Sequence, residues 1–324
     1  MMTARRAQRL IDRLPAVRGR YSENVSMAGI TWFRVGGPAE VLFRPADRDD
    51  LMAFLAQCPA DVPVMPIGVG SNLLVRDGGI PGVVIRLGRG FTDIKQVVGQ
   101  PTLIVGAATL DVNVALTARD CSIGGLEFLR GVPGTIGGAL KMNAGAYGRE
   151  IKDVLIVAEA VDRQGRLHTL APADLGLSYR HSEVPDDMVV VGATLRGGFD
   201  AKTDIARRMA EINQAREASQ PIRTRTGGST FANPLGRKAW ELIDLAGCRG
   251  LMRGGAQVSV QHCNFLINTG AATAADLEGL GEEVRRRVME ASGVALRWEL
   301  LRVGQYANGQ NGSAQPMSGD KEPA

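Results

Sequence analysis

The sequence is poor in cysteine, histidine and long apolar runs, and each shortage removes a class of protein. Four cysteines and three histidines occur in 324 residues. Cys58, Cys121, Cys248 and Cys263 show no CxxC spacing, which points to a reduced, cytoplasmic protein. There is no HExxH, no paired CxxC and no carboxylate loop of the calcium type, so no resident metal is expected. The adjacent side chains of His262 and Cys263 diverge and suit packing better than ligation. His168, His181 and His262 lie in unrelated contexts, which gives little support to a Ser-His-Asp triad. The opening MMTARRAQRLIDRLPAVRG lacks the apolar core of a signal peptide. No run reaches the roughly 18 apolar residues that a spanning helix needs, so no membrane insertion is expected. Charge of one sign is also scarce: 38 basic residues stand against 34 acidic, a net of +4, and no long basic block marks a nucleic-acid partner.

Glycine, by contrast, is abundant. Its 41 residues are about 13% of the chain against a typical value near 7%. No Gly-X-Y period accompanies them, so collagen is excluded, and they cluster between residues 66 and 148. With 44% hydrophobic and 22% charged residues the composition is globular. At roughly 100–200 residues per domain, the length suggests two or three domains.

The element pattern is α+β, with many short strands and few long helices. Strands are expected at 39–43, 64–67, 73–75, 82–87 and 103–105, with helices at 49–58, capped by Asp47, and at 111–119. A hairpin turning at Gln164-Gly165 and a strand within DDMVVVGATLRG continue the sheet material to about residue 198. A helix over 203–219 is stopped by Gln220-Pro221, near an expected domain boundary. Beyond it come helices at 238–246 and 273–292 and strands at 265–268 and 298–303. Residues 1–30 read as helix-like and 305–324 as a tail too polar to pack.

Three stretches carry chemistry. In PIGVGSNLLVRDGG (66–79), Gly68 to Asn72 would let backbone N–H groups turn toward one point and form a nest suited to a pyrophosphate. It is not G-x-G-x-x-G, because Leu73 stands at the last position and no helix follows, and it lacks the Gly-Lys-Ser/Thr of a P-loop. A tight turn with structural glycines is the alternative. In GLEFLRGVPGTIGGALKMNAGAYG (125–148), dense glycines permit close approach of a large flat ligand, and two such loops suit an extended cofactor. In TRTGGSTFANP (224–234), Ser229 could donate a proton only with its developing alkoxide stabilised, and no G-x-S-x-G elbow surrounds it. Otherwise it is a turn serine at the Asn233-Pro234 corner.

Taken with TWFRVGGPAEVLFRP (31–45), SYRHSEVP (178–185), GGAQVSVQHCNFLINTG (254–270) and RWELLRVG (297–304), these stretches closely resemble the UDP-N-acetylenolpyruvoylglucosamine reductase family, in the same order over roughly residues 20–304. The resemblance implies an FAD-binding fold of the vanillyl-alcohol-oxidase/PCMH type over 31–205, built of two α+β subdomains at about 31–90 and 91–205. A C-terminal α+β substrate-binding domain would follow at 206–296, and a last strand at 297–304. It implies non-covalent FAD, NADPH as co-substrate, and reduction of UDP-N-acetylglucosamine enolpyruvate in peptidoglycan precursor synthesis.

Carried over, Ile67, Gly68, Val69, Gly70, Ser71, Asn72 and Leu73 would wrap the FAD pyrophosphate. Pro133, Gly134, Thr135, Gly137, Gly138, Asn143, Ala144 and Gly145 would line the flavin, with Arg34, Gly36 and Gly37 near the cofactor. The catalytic trio maps to Arg180, Ser229 and Glu299, and substrate contacts to Tyr179, Arg225, Asn233 and Lys238. Glu299, a carboxylate beside a developing anion, calls for a raised pKa or a positional role. Ala232 replaces a lysine of many relatives, leaving Arg225 or Lys238 to meet phosphate, and the chain resembles the short class without an inserted tyrosine-bearing loop. Another flavoprotein oxidoreductase of the same fold is the enzyme alternative; a non-enzymatic nucleotide- or RNA-binding protein is the alternative from another class.

Overall fold

A computed structural model describes residues 9–307. Most of the expected tail and the first eight residues of the expected helical opening lie outside them. Within them the opening is not helical: Leu10–Arg13 makes one helical turn, and Arg20–Ser26 forms strand β1. Tertiary packing outweighs the local pattern here. Tyr21 stacks at 5.1 Å from Phe43 and 6.2 Å from Phe54, which draws β1 onto a sheet.

The chain then runs through β2 (Pro38–Arg44), helix α1 (Arg48–Gln57), β3 (Val64–Ile67), β4 (Leu73–Val75) and β5 (Ile80–Arg86). Strands β1-β2-β5-β3 form a four-stranded sheet, with β3 parallel to β5 and Ile67 opposite Arg86. Asp47 starts α1 as expected, its carboxylate accepting from Asp50 N at 3.0 Å. Helix α1 buries Leu51, Phe54 and Leu55 among Phe43, Val83 and Ile85. Each such side chain contributes about 1.5–3 kcal/mol when removed from water.

Next come β6 (Ile94–Gln96), β7 (Thr102–Gly106), α2 (Asp111–Asp120), the short β8 (Ile123–Gly124), α3 (Ile136–Lys141), β9 (Gly145–Ala146) and β10 (Arg149–Glu150). They lead to β11 (Leu155–Val161), β12 (Leu167–Leu170), β13 (Val189–Arg196) and β14 (Gly198–Phe199). An antiparallel sheet of order β12-β11-β13-β7-β6 results. The β11–β12 hairpin turns where expected: Asp162 accepts from Gln164 N and Arg166 N, both at 2.9 Å, and Gly165 takes φ +75°.

Helix α4 (Lys202–Ser219) stops just before Gln220-Pro221. After it lie α5 (Ala239–Leu245), the antiparallel β15 (Met252–Arg253), β16 (Ala256–Val258) and β17 (Leu266–Asn268), α6 (Ala274–Ser292) and β18 (Leu301–Val303). Strand β18 starts three residues later than expected, because residues 297–300 pair irregularly with 230–232 first. It then runs parallel to the distant β4, with Leu301 opposite Leu73.

That pairing explains the division of the chain into two compact units that interleave in sequence. Among the described residues, the first comprises those up to Val25 with Ala39–Gly68 and Pro81–Met209, and the second Ser26–Pro38, Val69–Ile80 and Ala210 onward. The early segments are tied firmly into the second unit. Asp77 accepts from Ala274 N and Ala275 N at 2.9 Å each, where α6 has unpaired donors and a positive dipole end. Arg76 holds Glu278 by a two-pronged ion pair at 2.9 and 2.8 Å. Helix α6 carries a capping box of Thr273 and Asp276 and ends at Gly293 with φ +69°. Among the described residues no helix is long and apolar enough to cross a membrane.

Candidate active site

In the first unit the two glycine-rich stretches meet. Gly68, which follows β3, faces the start of α3 so closely that a Cβ there would lie 2.6 Å from Thr135 Oγ1. The segment before α3 is held by backbone bonds, Asp111 N to Gly134 O at 3.2 Å and Ile136 N to Thr109 O at 3.0 Å. Gly137 N donates to Ala107 O at 2.9 Å, and a Cβ on Gly137 would sit 3.2 Å from the Ala107 Cβ. Pro133 and Gly134 complete this half-buried turn, and Gly138 is exposed within α3.

Asn143 does work that its place in the sequence did not announce. It is fully buried with φ +39°. Its Nδ2 donates to Glu150 Oε2 at 3.0 Å and Ser178 O at 2.9 Å, while Oδ1 accepts from Lys152 N at 3.0 Å. Its side chain therefore fastens the 143–153 turn to the 178–181 turn. Ala144 and Gly145 follow, Gly145 pairing with Glu150 across β9 and β10.

The 178–181 turn carries Arg180. Ser178 and His181 exchange backbone bonds of 3.1 and 3.2 Å, and Arg180 between them adopts φ +55°. Its guanidinium donates to Gly145 O at 2.8 Å, lies 3.8 Å from Glu150 Oε1 and stacks 4.9 Å above the Tyr179 ring. Among the described residues six non-glycine positions have positive φ, and Arg34, Asn143 and Arg180 are three of them. Backbone strain of this kind, at about 1–3 kcal/mol each, concentrates at functional sites.

In the second unit Gly70 takes φ +69° and approaches Thr31 so closely that a Cβ would lie 3.0 Å from Thr31 Cα. Trp32 N donates to Gly70 O at 3.1 Å, and exposed Arg34 donates to Gly29 O at 3.1 Å. Asn72 Nδ2 donates to Glu299 O at 3.1 Å, and Leu301 N to Asn72 O at 3.0 Å. The unit also brings Ser229 beside Glu299, residues far apart in sequence. Thr230 O accepts from Glu299 N at 2.9 Å, while Ser229 bridges to Phe265. Ser229 is half-buried, and its hydroxyl makes no hydrogen bond among the described residues. Gly227 is required by packing, because a Cβ would lie 2.4 Å from the buried Phe33 ring.

The expected substrate contacts are placed unevenly. Arg225 is exposed beside Asn268, whose N donates to Arg225 O at 2.9 Å. Asn233 Oδ1 accepts from Ala239 N at 3.0 Å and so caps α5, which also replaces the expectation that Ser229 braces this corner. Lys238 is exposed, 4.0 Å from Glu241. Ala232 is buried, its N donating to Arg297 O. His262 packs edge-on against Phe265 at 4.8 Å, and burial lowers its pKa.

Sequence reasoning missed Thr230, Glu150 and Asn264, which pairs with both backbone groups of Phe231. It also missed Asp111. This carboxyl is fully buried at the start of α2, neither oxygen has a hydrogen-bond partner among the described residues, and burial pushes its pKa well above the ordinary carboxylate range.

The glycine segment that follows β3, with Gly70 at φ +69°, and the α+β architecture together point to a flavoprotein of the FAD-binding class. Residues 39–171 match the family described as an FAD binding domain, and residues 220–303 the C-terminal domain of UDP-N-acetylenolpyruvoylglucosamine reductase. Proteins of that name from Rhodospirillum rubrum and Parvibaculum lavamentivorans are each 62% identical to this chain over 309 and 304 residues. The matches span 94% of this chain and 96% and 97% of theirs. The solved structure of the reductase from Thermus caldophilus superposes with a TM-score of 0.76 at 36% identity, covering 89% of this chain and 99% of its own. The chain belongs to the UDP-N-acetylenolpyruvoylglucosamine reductase family.

Proposed function

We propose that this enzyme reduces UDP-N-acetylglucosamine enolpyruvate to UDP-N-acetylmuramate with NADPH and non-covalent FAD, a step in building peptidoglycan precursor. Its full-length likeness to the named reductases supports the reaction. The observation favouring the assigned residues is the backbone pairing of Thr230 with Glu299, which brings the segments carrying Ser229 and Glu299 side by side in one unit.

When bound, FAD reduced by NADPH would supply the hydride required at the methylene carbon of the enolpyruvyl ether. The electron pair of the double bond then moves to the adjacent carbon and its carboxylate. Arg180 offsets that charge: its guanidinium is always cationic and is held by the Gly145 carbonyl. Ser229 gives its hydroxyl proton to the carbon, and a half-buried hydroxyl without a hydrogen bond among the described residues can turn toward an incoming acceptor. A carboxylate beside growing negative charge is tolerated only when protonated or when it orients another donor, so Glu299 serves in one of those ways. Arg225 and Lys238, both exposed cations, are assigned to the substrate diphosphate, and Tyr179 and Asn233 to its neighbourhood.

The test is the visible spectrum under anaerobic conditions. A yellow protein should bleach on NADPH addition and regain colour when the enolpyruvate is added. In Ser229→Ala the bleaching should persist while recolouring slows by about 10²–10⁴-fold, the usual weight of a general acid. Equal loss in both halves would make Ser229 structural.

A further inference from the structure

The segment expected to wrap the FAD pyrophosphate, Ile67 to Leu73, contains no basic residue. Backbone N–H groups alone would face a bridge carrying two negative charges, so a cation nearby would strengthen binding. The strand ladder supplies one. In the first unit β3 and β5 run parallel, and Ile67, immediately before Gly68, lies directly opposite Arg86.

Arg86 differs from the other partly buried arginines. Arg76 is paired with Glu278, Arg208 with Glu127 and Asp200, and Arg285 with Glu282. Half-buried Arg86 has neither a hydrogen bond nor an ion pair for its guanidinium among the described residues. The neighbouring charge bearing on it is Arg44, of the same sign, at the end of β2 in the same sheet; burial and then Arg44 lower its pKa. A guanidinium partly withdrawn from water with only a like charge beside it is left in want of an anion. Its planar donor fork matches a phosphate.

We propose that Arg86 binds the diphosphate of FAD, supplying at the end of β5 the positive charge that the glycine segment lacks. This rests on the FAD reading above. Arg44 raises the local positive potential from the next strand, so Arg86 carries the direct contact and Arg44 the longer-range attraction.

The experiment uses the purified holoenzyme, with FAD release followed by flavin fluorescence on serial dilution at several salt concentrations. Arg86→Gln should raise the FAD dissociation constant about 10- to 100-fold, the range for a charge-assisted hydrogen bond, and flatten its salt dependence. Arg86→Lys should recover most of the salt dependence and part of the affinity. Melting curves at saturating FAD should return Arg86→Gln to the wild-type value. An affinity within two-fold of wild type overturns the proposal, and so does a melting deficit that persists at saturating FAD, which marks a structural arginine. A wild-type protein that holds no FAD overturns the functional reading itself, an outcome distinct from a wild type that binds while the variant is indifferent.

Discussion

The contact between Gly68 and Thr135 allows a sharp test of how the two glycine-rich stretches are joined. A Cβ on Gly68 would sit 2.6 Å from Thr135 Oγ1, closer than packed atoms approach, and the next Thr135 atom is 3.8 Å away. Gly68→Ala must therefore displace Thr135 or the end of β3. Overpacking of this size costs about 1–3 kcal/mol, and a middle value near 2 kcal/mol corresponds to roughly 4–8 °C in Tm at about 2–4 °C per kcal/mol for a chain of this order. Thr135 precedes α3 but makes no capping bond through its side chain, so Thr135→Ala alone should cost well under the roughly 1 kcal/mol of a true cap. The double variant keeps the new Cβ and removes the clashing oxygen, together with the Thr135 methyl that lies 3.9 Å away. Thermal melts of the four proteins at saturating FAD should show Gly68→Ala/Thr135→Ala recovering at least half of the single-variant loss, a coupling of about 1 kcal/mol or more. Strictly additive losses would refute the steric account and place the cost in the backbone of Gly68.

Other parts of the molecule make equally specific demands. Asn143→Ala removes three hydrogen bonds, to half-buried Glu150 and Ser178 and to the backbone of Lys152; it should lower stability by about 1–3 kcal/mol in urea unfolding and slow turnover by loosening the turn that carries Arg180. Asp111 has a folded-state pKa raised by burial, so both states are protonated below about pH 4, and above that only the unfolded chain gains by ionising. Stability from this group is thus lost as pH rises toward the raised folded-state pKa, and Asp111→Asn should gain on the wild type as pH climbs above about 4; a pH-independent difference would sink the assignment. Burial pushes the Cys263 thiol up to about 11, and Cys58 and Cys248 are also buried, so iodoacetamide on the native protein should label the partly exposed Cys121 first by mass spectrometry.

Much of the fold was legible because its signals are local. Asp47 before an apolar stripe, Gln164-Gly165 between alternating strands and Pro221 after a helical run each act within a few residues, and each element lies where those rules put it. The first strand was not, since Arg20–Ser26 has little apolar alternation and is held by Tyr21 against rings contributed by β2 and α1. The candidate site was legible as motifs, whereas its support was not. Asn143 is expected to line the flavin, and the sequence does not show that its side chain also ties two turns together. Asn233 is expected at the substrate, and the sequence does not show that its oxygen also caps a helix beginning six residues later. Arg86 carries no motif at all; only the parallel ladder brings it opposite Ile67. Pairings across tens or hundreds of residues leave no periodic trace.

The parallel pairing of β4 with β18 also sets a timetable. Residues 73–75 leave the ribosome long before 301–303, and at about 5–20 residues per second the wait is roughly 10–45 s. Until then β4 has an open edge, and Asn72 lacks the Glu299 carbonyl to which it donates. The first unit can mature during synthesis, but the Val69–Ile80 segment, joined early to Trp32 through Gly70, gains its α6 and β18 partners only when the chain is nearly complete. A chain truncated just before residue 300 would keep every glycine of that segment without the strand that pairs with it.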